Sequence, residues 1–424
     1  MMKKTTLLTA FLAVISASCY AQFAIDGQLR PRTEYRHGYG TLIADDADPG
    51  FGIATRARIN FGLKKETYEV YLSFQDVFVW GENRQILIED KNNSFSIFEA
   101  WANFRLNENW STKLGRQVIS YDDQRILGGL DWAQQGRNHD AILVKLGKDA
   151  LKLDLGFAYN QDYDNISGFQ NTDNTYHTTG FFSYKTMQYA YLKNNWDAFS
   201  ASFLFMNNGF QEFDEDDKAD GISNLQTFGT HLTYTKNKFN TAANIYLQTG
   251  QRQGEIKVNS GLLASLDAYY KITPKIKLGL GFEYISGKSP DSDADETGAF
   301  FPLYGTNHKF NGFMDYFYVG NHANSVGLVD FHINANFNFG EKSELYVNVL
   351  NFSGAEELPS GEKSLGTEVD LVFQHKFKEF SIQAGYSQMF AADGMYELKN
   401  LPEDLAASTQ NWIWAMVILK PKFL

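Results

Sequence analysis

A chain of 424 residues with 50 acidic against 38 basic residues carries a formal net charge of -12, which excludes nucleic acid as a partner. Aromatic residues make up 15%, glycine contributes 35 residues, and the mean hydropathy is -0.35; beyond the first twenty residues no run of about 18 apolar residues occurs, which excludes a helical membrane span. The one cysteine, Cys19, falls in a segment read below as a cleaved leader, so the rest has no disulfide framework, thiolate metal site or cysteine nucleophile.

The chain opens with Lys3 and Lys4, an apolar run from Leu7 to Ala17, and Cys19-Tyr20-Ala21 before Gln22. A positive start, a short apolar stretch and small residues at the cut read as a secretory signal over residues 1–21. A lipoprotein cut at Cys19 is the alternative, but Ser16-Ala17-Ser18 matches a lipidation box poorly. Cleavage after Ala21 removes two lysines and no acid, taking the charge from -12 to -14. No linker or compositional break divides residues 22–424, which read as a single domain.

From there period-2 alternation recurs almost to the end. Along the first strand Gln28, Arg30, Arg32, Glu34 and Arg36 share one face, and Leu29, Pro31, Thr33 and Tyr35 the other. Next, Arg56, Arg58, Asn60 and Lys64 oppose Thr55, Ala57, Ile59 and Phe61, and in the fourth segment Glu99, Trp101, Asn103 and Arg105 oppose Phe98, Ala100, Ala102 and Phe104. Leu151 to Asn160, Lys275 to Ile285 and Ser325 to Phe339 alternate as cleanly. About eighteen such segments begin near residues 23, 52, 66, 94, 109, 139, 149, 179, 195, 224, 238, 258, 275, 325, 342, 364, 379 and 408. Their connections alternate between short ones, such as Lys64-Lys65 and Lys148-Asp149, and long ones: 38–51, 80–93, 120–138, 161–178, 208–223, 252–257, 288–324, 354–363 and 392–407. That alternation, with strands of 9–11 residues or more, predicts an all-β fold: a transmembrane antiparallel β-barrel of about 18 strands with short periplasmic turns and long extracellular loops. An even strand number puts both termini in the periplasm of a Gram-negative bacterium. The last strand, Asn411 to Phe423, carries Trp412 and Trp414 and ends near the aromatic terminus that barrel-insertion machinery reads.

Ten of the eleven arginines lie between Arg30 and Arg137. An arginine facing lipid at mid-depth costs about 2–4 kcal/mol, so those on the first, second and fourth strands point into the lumen. Strict alternation groups Arg116 with Leu114 and Val118; a bulge at Gly115 or a place near the rim would turn it inward. Arg125 and Arg137 fall in the loop 120–138, which either folds into the pore as a constriction or lies on the surface. The arginines have two readings: passage of anions along one wall, or pairing with Glu34, Glu99 and other lumenal acids to stiffen it. Asp154, Asp267, Glu283, Asp330, Glu344, Glu368 and Asp370 fall on inward faces, which polarises the lumen.

The alternating acids of Asp45-Asp46-Ala-Asp48, Asp214 to Asp217 and Asp291 to Glu296 are of a kind that can hold Ca²⁺, but none has the twelve-residue calcium loop, so solvated loops are the simpler reading and, loop Ca²⁺ aside, no cofactor is expected. The eight histidines have no metal-ligand spacing, and no nucleophile elbow or phosphate loop occurs, so the chain does not read as an enzyme.

Leu29-Arg-Pro-Arg-Thr-Glu-Tyr-Arg36, Arg56-Ala-Arg-Ile-Asn-Phe-Gly62, Leu114-Gly-Arg-Gln117, Tyr121-Asp-Asp-Gln-Arg125 and Trp132-Ala-Gln-Gln-Gly-Arg137 together resemble the alginate export family of outer-membrane barrels over residues 25–145. The resemblance implies a monomeric eighteen-stranded channel whose arginine-rich constriction passes an anionic uronate polysaccharide. It implicates Arg30, Arg32, Arg56, Arg58, Arg116, Arg125 and Arg137 in substrate guidance, to which the strand pattern adds Arg36 and Arg105. Expected partners are an anionic glycan, outer-membrane lipid and lipopolysaccharide, and the insertion machinery. The alternatives are a general porin taking up small anionic nutrients, and a non-conducting barrel whose acidic loops bind surface partners.

Overall fold

The computed structural model describes residues 22–86, 94–161, 183–317 and 325–424; the leader expected over 1–21 and most of the connection expected over 161–178 lie outside them. Nineteen strands form one sheet: β1 (Gln22–His37), β2 (Gly50–Lys64), β3 (Tyr68–Val79), β4 (Ser96–Arg105), β5 (Trp110–Gln117), β6 (His139–Lys148), β7 (Leu151–Tyr159), β8 (Thr186–Trp196), β9 (Phe199–Phe213), β10 (Ala219–Lys236), β11 (Phe239–Arg252), β12 (Ile256–Thr273), β13 (Ile276–Ile285), β14 (Glu296–Thr297), β15 (Leu328–Asn338), β16 (Ser343–Ser353), β17 (Ser364–Lys376), β18 (Phe380–Ala391) and β19 (Gln410–Leu419). Strand β14 is a two-residue piece of a loop, running parallel to Lys257 and Val258. The other eighteen form an antiparallel meander that closes where β1 pairs with β19, from Leu29 opposite Leu419 to His37 opposite Asn411. Beyond Leu419 the tail stays on β1, with Gly27 N–H donating to Pro421 at 3.0 Å and Phe423 N–H to Ile25 at 2.8 Å. Closure removes every sheet edge, so the backbone of each barrel strand has a partner on both sides.

The alternation sorts side chains as the pleat requires. Leu29, Ile59, Leu72, Phe203, Phe205, Ile245, Leu280, Phe331, Ile333 and Ile413 stand exposed around the outside. An unbroken apolar band on the outer wall of a closed barrel is a surface made for lipid hydrocarbon. No helix among the described residues is long and apolar enough to cross a membrane.

Strands β9 and β10 keep pairing up to Phe213 opposite Ala219, so the connection expected over 208–223 shortens to 214–218. Strands β11 and β12 likewise meet across 253–255. Both hairpins extend because the alternation persists into segments whose polar residues read as loop.

Strand parity is kept through Arg116, and this corrects its expected lumenal placement. Gly115 has a left-handed φ of 113°, yet the register runs unbroken, with Gly115 opposite Trp101 and Arg116 opposite both Ala100 and Asp140. With no bulge, Arg116 stays on the outer face beside Leu114. Its guanidinium forks onto Asp140, both contacts at 2.9 Å, one residue from the long-loop end of β5. The pair neutralises the charge where the apolar band ends, and Arg116 is removed from the lumenal set.

Candidate functional site

Two long connections turn into the lumen instead of lying on the surface. The segment 118–138 leaves the end of β5 and crosses the barrel, burying Ile119, Ile126 and Leu127. The segment 286–317 comes from the opposite side and buries Phe300, Phe301, Leu303, Tyr304, Met314 and Tyr316. They meet as one body: Leu127 bridges Tyr304 in parallel, Tyr304 N–H donates to Ile126 at 3.0 Å, Gly128 N–H to Tyr304 at 2.8 Å, and Thr306 N–H to Gln124 at 2.9 Å.

Backbone crossing a lumen has no ladder to satisfy its polar groups, and each buried group left alone is costly. The barrel wall supplies the partners, and it does so by charge. Arg30 on β1 and Arg56 on β2 stand directly opposite each other in register. Arg30 donates to the carbonyls of Asp131 at 2.7 Å, Trp132 at 3.2 Å and Ala133 at 3.2 Å, and to the Gln134 side chain at 2.9 Å. Arg56 donates to the carbonyls of Asp131, Ala133 and Gln134 and forms an ion pair with the Asp131 carboxylate. Arg32 donates to the Trp132 carbonyl at 2.8 Å and lies 4.3 Å over its ring. Arg30, Arg32 and Arg56 are all buried, Arg56 completely. Three fixed forks thus hold four consecutive loop residues, a task that suits guanidinium and not ammonium.

On the other side of the closure line, along β15 and β17, the polarity reverses. Glu368 accepts from Met314 N–H at 2.8 Å, Asp370 from Phe313 N–H at 3.4 Å, and Asp330 from the Asn311 amide at 3.4 Å. Gly312, with φ of 86°, allows the approach, since a Cβ there would stand 2.6 Å from the Glu368 carboxylate. On β4, Glu99 accepts from Val118 N–H at 3.1 Å, so it too grips loop backbone and no arginine. Basic wall to carbonyls, acidic wall to N–H groups: the charge segregation visible in the sequence is matched to the polarity of what it holds.

Of the remaining predicted residues, Arg125 reaches across to Glu283 on β13 and lies 3.4 Å over the Phe310 ring, while Arg137 donates to the carbonyls of Tyr304 and Gly305. Both therefore join the loops and stand apart from the arginine wall. Arg36 is half exposed above the constriction and pairs with Glu34 at 3.0 Å. Arg58 lies 3.7 Å over the Phe98 ring, bonds Gln75 at 3.2 Å, and lines an open cavity of about 330 Å³ with Asp131, Lys420 and Lys422. Arg105 is exposed and lines an open cavity of about 580 Å³ on the short-turn side.

That cavity brings in residues the sequence reading did not single out: Lys145, Lys152 and Lys193, one from each of β6, β7 and β8, facing the lumen below Tyr121 and Asp122. Lys152 stands opposite Lys193, and Lys145 opposite Asp154. Lys193 contacts Asp122 at 3.0 Å and Lys145 approaches Asp154 at 3.6 Å. Their inward parity is readable in the sequence, since Lys152 shares its face with Asp154.

Within the loops, burial raises the Asp131 carboxyl, but Arg56 first and then Arg30 and Arg58 outweigh it and hold the group below the usual carboxylate range. Burial also lifts the Tyr121 hydroxyl well above its ordinary value, reinforced by Tyr189 and Asp154. Among the described residues no three His, Cys, Asp or Glu side chains are grouped as metal ligands.

No protein-family model matches the chain, and no curated protein matches it in sequence. Solved structures match along nearly its whole length. Acinetobacter baumannii OccAB4 is 12% identical, with 95% of this chain and 98% of that one covered and a TM-score of 0.62. Pseudomonas aeruginosa OprD is 12% identical, with 95% and 96% covered and a TM-score of 0.59. Pseudomonas aeruginosa OpdK, solved with vanillate, is 11% identical, with 94% and 99% covered and a TM-score of 0.56. The chain has the closed eighteen-stranded antiparallel barrel of these outer-membrane porins.

Proposed function

We propose that the chain is an outer-membrane channel that takes up small anionic solutes, held in the lumen by Arg58, Arg105, Lys145, Lys152 and Lys193. One observation carries this reading. The basic groups divide into a set locked onto loop carbonyls and a set that lines open lumenal cavities, Arg105, Lys145, Lys152 and Lys193 one of about 580 Å³ and Arg58 another of about 330 Å³. Only the second set can exchange its contacts for those of a passing anion, and cations in a low-dielectric wall concentrate anions of the complementary charge. The exposed apolar band and the porin-like fold support an outer-membrane location.

The same division favours small anions over a uronate polysaccharide. Of the seven arginines on which polysaccharide guidance rests, Arg30, Arg32, Arg56, Arg125 and Arg137 already bind loop or wall groups and Arg116 lies on the outer face, which leaves Arg58, and two joined loops span the lumen at Leu127 and Tyr304. OpdK with its vanillate shows that a barrel of this fold can be solved with a small carboxylate, a solute of the size and charge proposed.

Reversal potentials in a potassium chloride gradient across planar bilayers test the reading. The expected result is anion preference that falls at least severalfold when Lys152→Glu and Lys193→Glu are combined. Cation preference in the unaltered protein, indifferent to both substitutions, would refute it; absence of any conductance would favour the surface-binding reading.

A further inference from the structure

On the wall opposite the lysines, toward the short turns, lies an open cavity of about 310 Å³. Its lining includes the rings of Tyr269, Tyr346 and Phe313, the acceptors Asp267, Asn334 and Asn348, and the Arg125 guanidinium from the first inward loop. Asn334 on β15 and Asn348 on β16 are directly opposite in register and almost completely buried. The side-chain oxygen of each accepts no hydrogen bond among the described residues. Buried acceptors without donors are costly, and these two belong to neighbouring residues that both line the cavity.

The space is shaped by the strand between. On β13, Gly279 faces inward, and a Cβ there would stand 2.5 Å from both Asn334 Oδ1 and the Tyr269 ring. Two residues on, a Cβ at Gly281 would stand 2.1 Å from His332 Nε2 and 2.6 Å from Asp267 Oδ1. The glycines let the tyrosine ring and the polar groups lie flat across β13, leaving a shallow cleft with ring faces on its sides. His332, bonded to Asp267 at 2.9 Å, fixes the direction of that carboxylate. Lys309 lines the same cavity and stands 5.2 Å from the Phe310 ring.

Flat aromatic faces beside amide and carboxylate acceptors suit one chemical class: a ring with C–H faces and a rim of hydroxyl donors. Simple aliphatic carboxylates bring no donors for Asn334 and Asn348, and apolar rings leave them unpaired. We propose that this cleft is a binding subsite for a monosaccharide ring, and that the preferred solute is a sugar acid whose hydroxyls meet Asp267, Asn334 and Asn348 while its carboxylate faces the basic groups of the lumen. The sugar-acid part rests on the anion-channel reading above; the ring subsite does not.

Single-channel recording separates the two. With the unaltered protein, glucuronate is expected to interrupt the current at lower concentration than butanoate. Combining Asn334→Ala with Asn348→Ala should weaken the glucuronate block about tenfold, leaving the butanoate block, the open conductance and the reversal potential unchanged. Unchanged conductance also shows that the variant has folded. Equal block by glucuronate and butanoate, or a glucuronate block indifferent to the double substitution, would overturn the subsite while leaving anion passage intact. Block by neutral glucose that is lost in the variant, in a channel without anion preference, would uphold the subsite and refute the anion reading. A Gly279→Val variant, which fills the cleft from a third strand, should lose the sugar block in the same way.

Discussion

Arg56 has no exposed surface and four loop groups on its guanidinium, counting the Asp131 carboxylate and the carbonyls of Asp131, Ala133 and Gln134. Removing one side of a buried charged network costs about 3–5 kcal/mol, because the partners stay behind unsatisfied. Arg56→Ala is therefore expected to release the segment 131–134, giving larger and noisier single-channel currents and a lower temperature of heat-induced unfolding in detergent. Arg56→Lys should rescue little, since an ammonium cannot address three carbonyls in one plane. Asp131 gives a pH signature. Its folded value lies below the ordinary 3.8, so its contribution is fully present above that pH and is lost only as acidification passes through the folded value. Current noise should stay flat from pH 7 down to about 4 and rise below it, and Asp131→Asn should remove that acid onset. A noise transition near pH 6 instead would show that another group holds the loop.

Along the strands, four inward aromatic rings lie across a glycine of the neighbouring strand: Tyr189 over Gly156, Tyr246 over Gly229, Tyr269 over Gly279 and Trp414 over Gly385. A Cβ at Gly156 would stand 2.1 Å from the Tyr189 ring. Tyr189 in turn contacts the Tyr121 hydroxyl at 3.0 Å, at the root of the first inward loop. Gly156→Val should thus cost about 1–3 kcal/mol through overpacking and disturb the loop as well, read as a lower melting temperature together with altered conductance. An unchanged melting temperature would mean the ring can rotate away freely. These pairs explain why strand positions were legible in the sequence while the site was only half so. Period-2 alternation is local, and starts such as 139 and 364 coincide with the observed His139 and Ser364. The inward face of Arg30, Arg56 and Arg105 followed from the same parity, and parity alone would have kept Arg116 outside, where it lies. What grips Arg30 and Arg56 was not legible, because backbone carbonyls 75 to 103 residues away leave no mark in composition. Lys145, Lys152 and Lys193 come together only once β6, β7 and β8 are stacked in register.

For the molecule as a whole, the lumenal charge counted along the sequence overstates the field a solute meets. Most of the arginine wall and much of the acidic one are engaged by the inward loops, leaving the short-turn side as the region where cations face an open cavity. Excising residues 122–136 should consequently do two things at once. Conductance should rise severalfold as the crossing segment is lost, and anion preference should increase, because Arg30, Arg32 and Arg56 would then face water. A rise in conductance with reduced anion preference would contradict this division of labour.

Trp132, at the tip of the first inward loop, has neighbours on both sides of the line where the barrel closes. Arg32 of β1 lies over its ring at 4.3 Å, while Trp412 and Trp414 of β19 meet it edge-on at 5.6 and 4.8 Å. His308 of the second loop stacks on it at 4.3 Å. The first strand made and the last strand made must both be in place before this one side chain has its full surroundings. Full seating of Trp132 is therefore expected to wait for closure: with β1 and β19 apart, Arg30 and Arg56 can still grip the loop, but the ring lacks the Trp412 and Trp414 half of its surroundings.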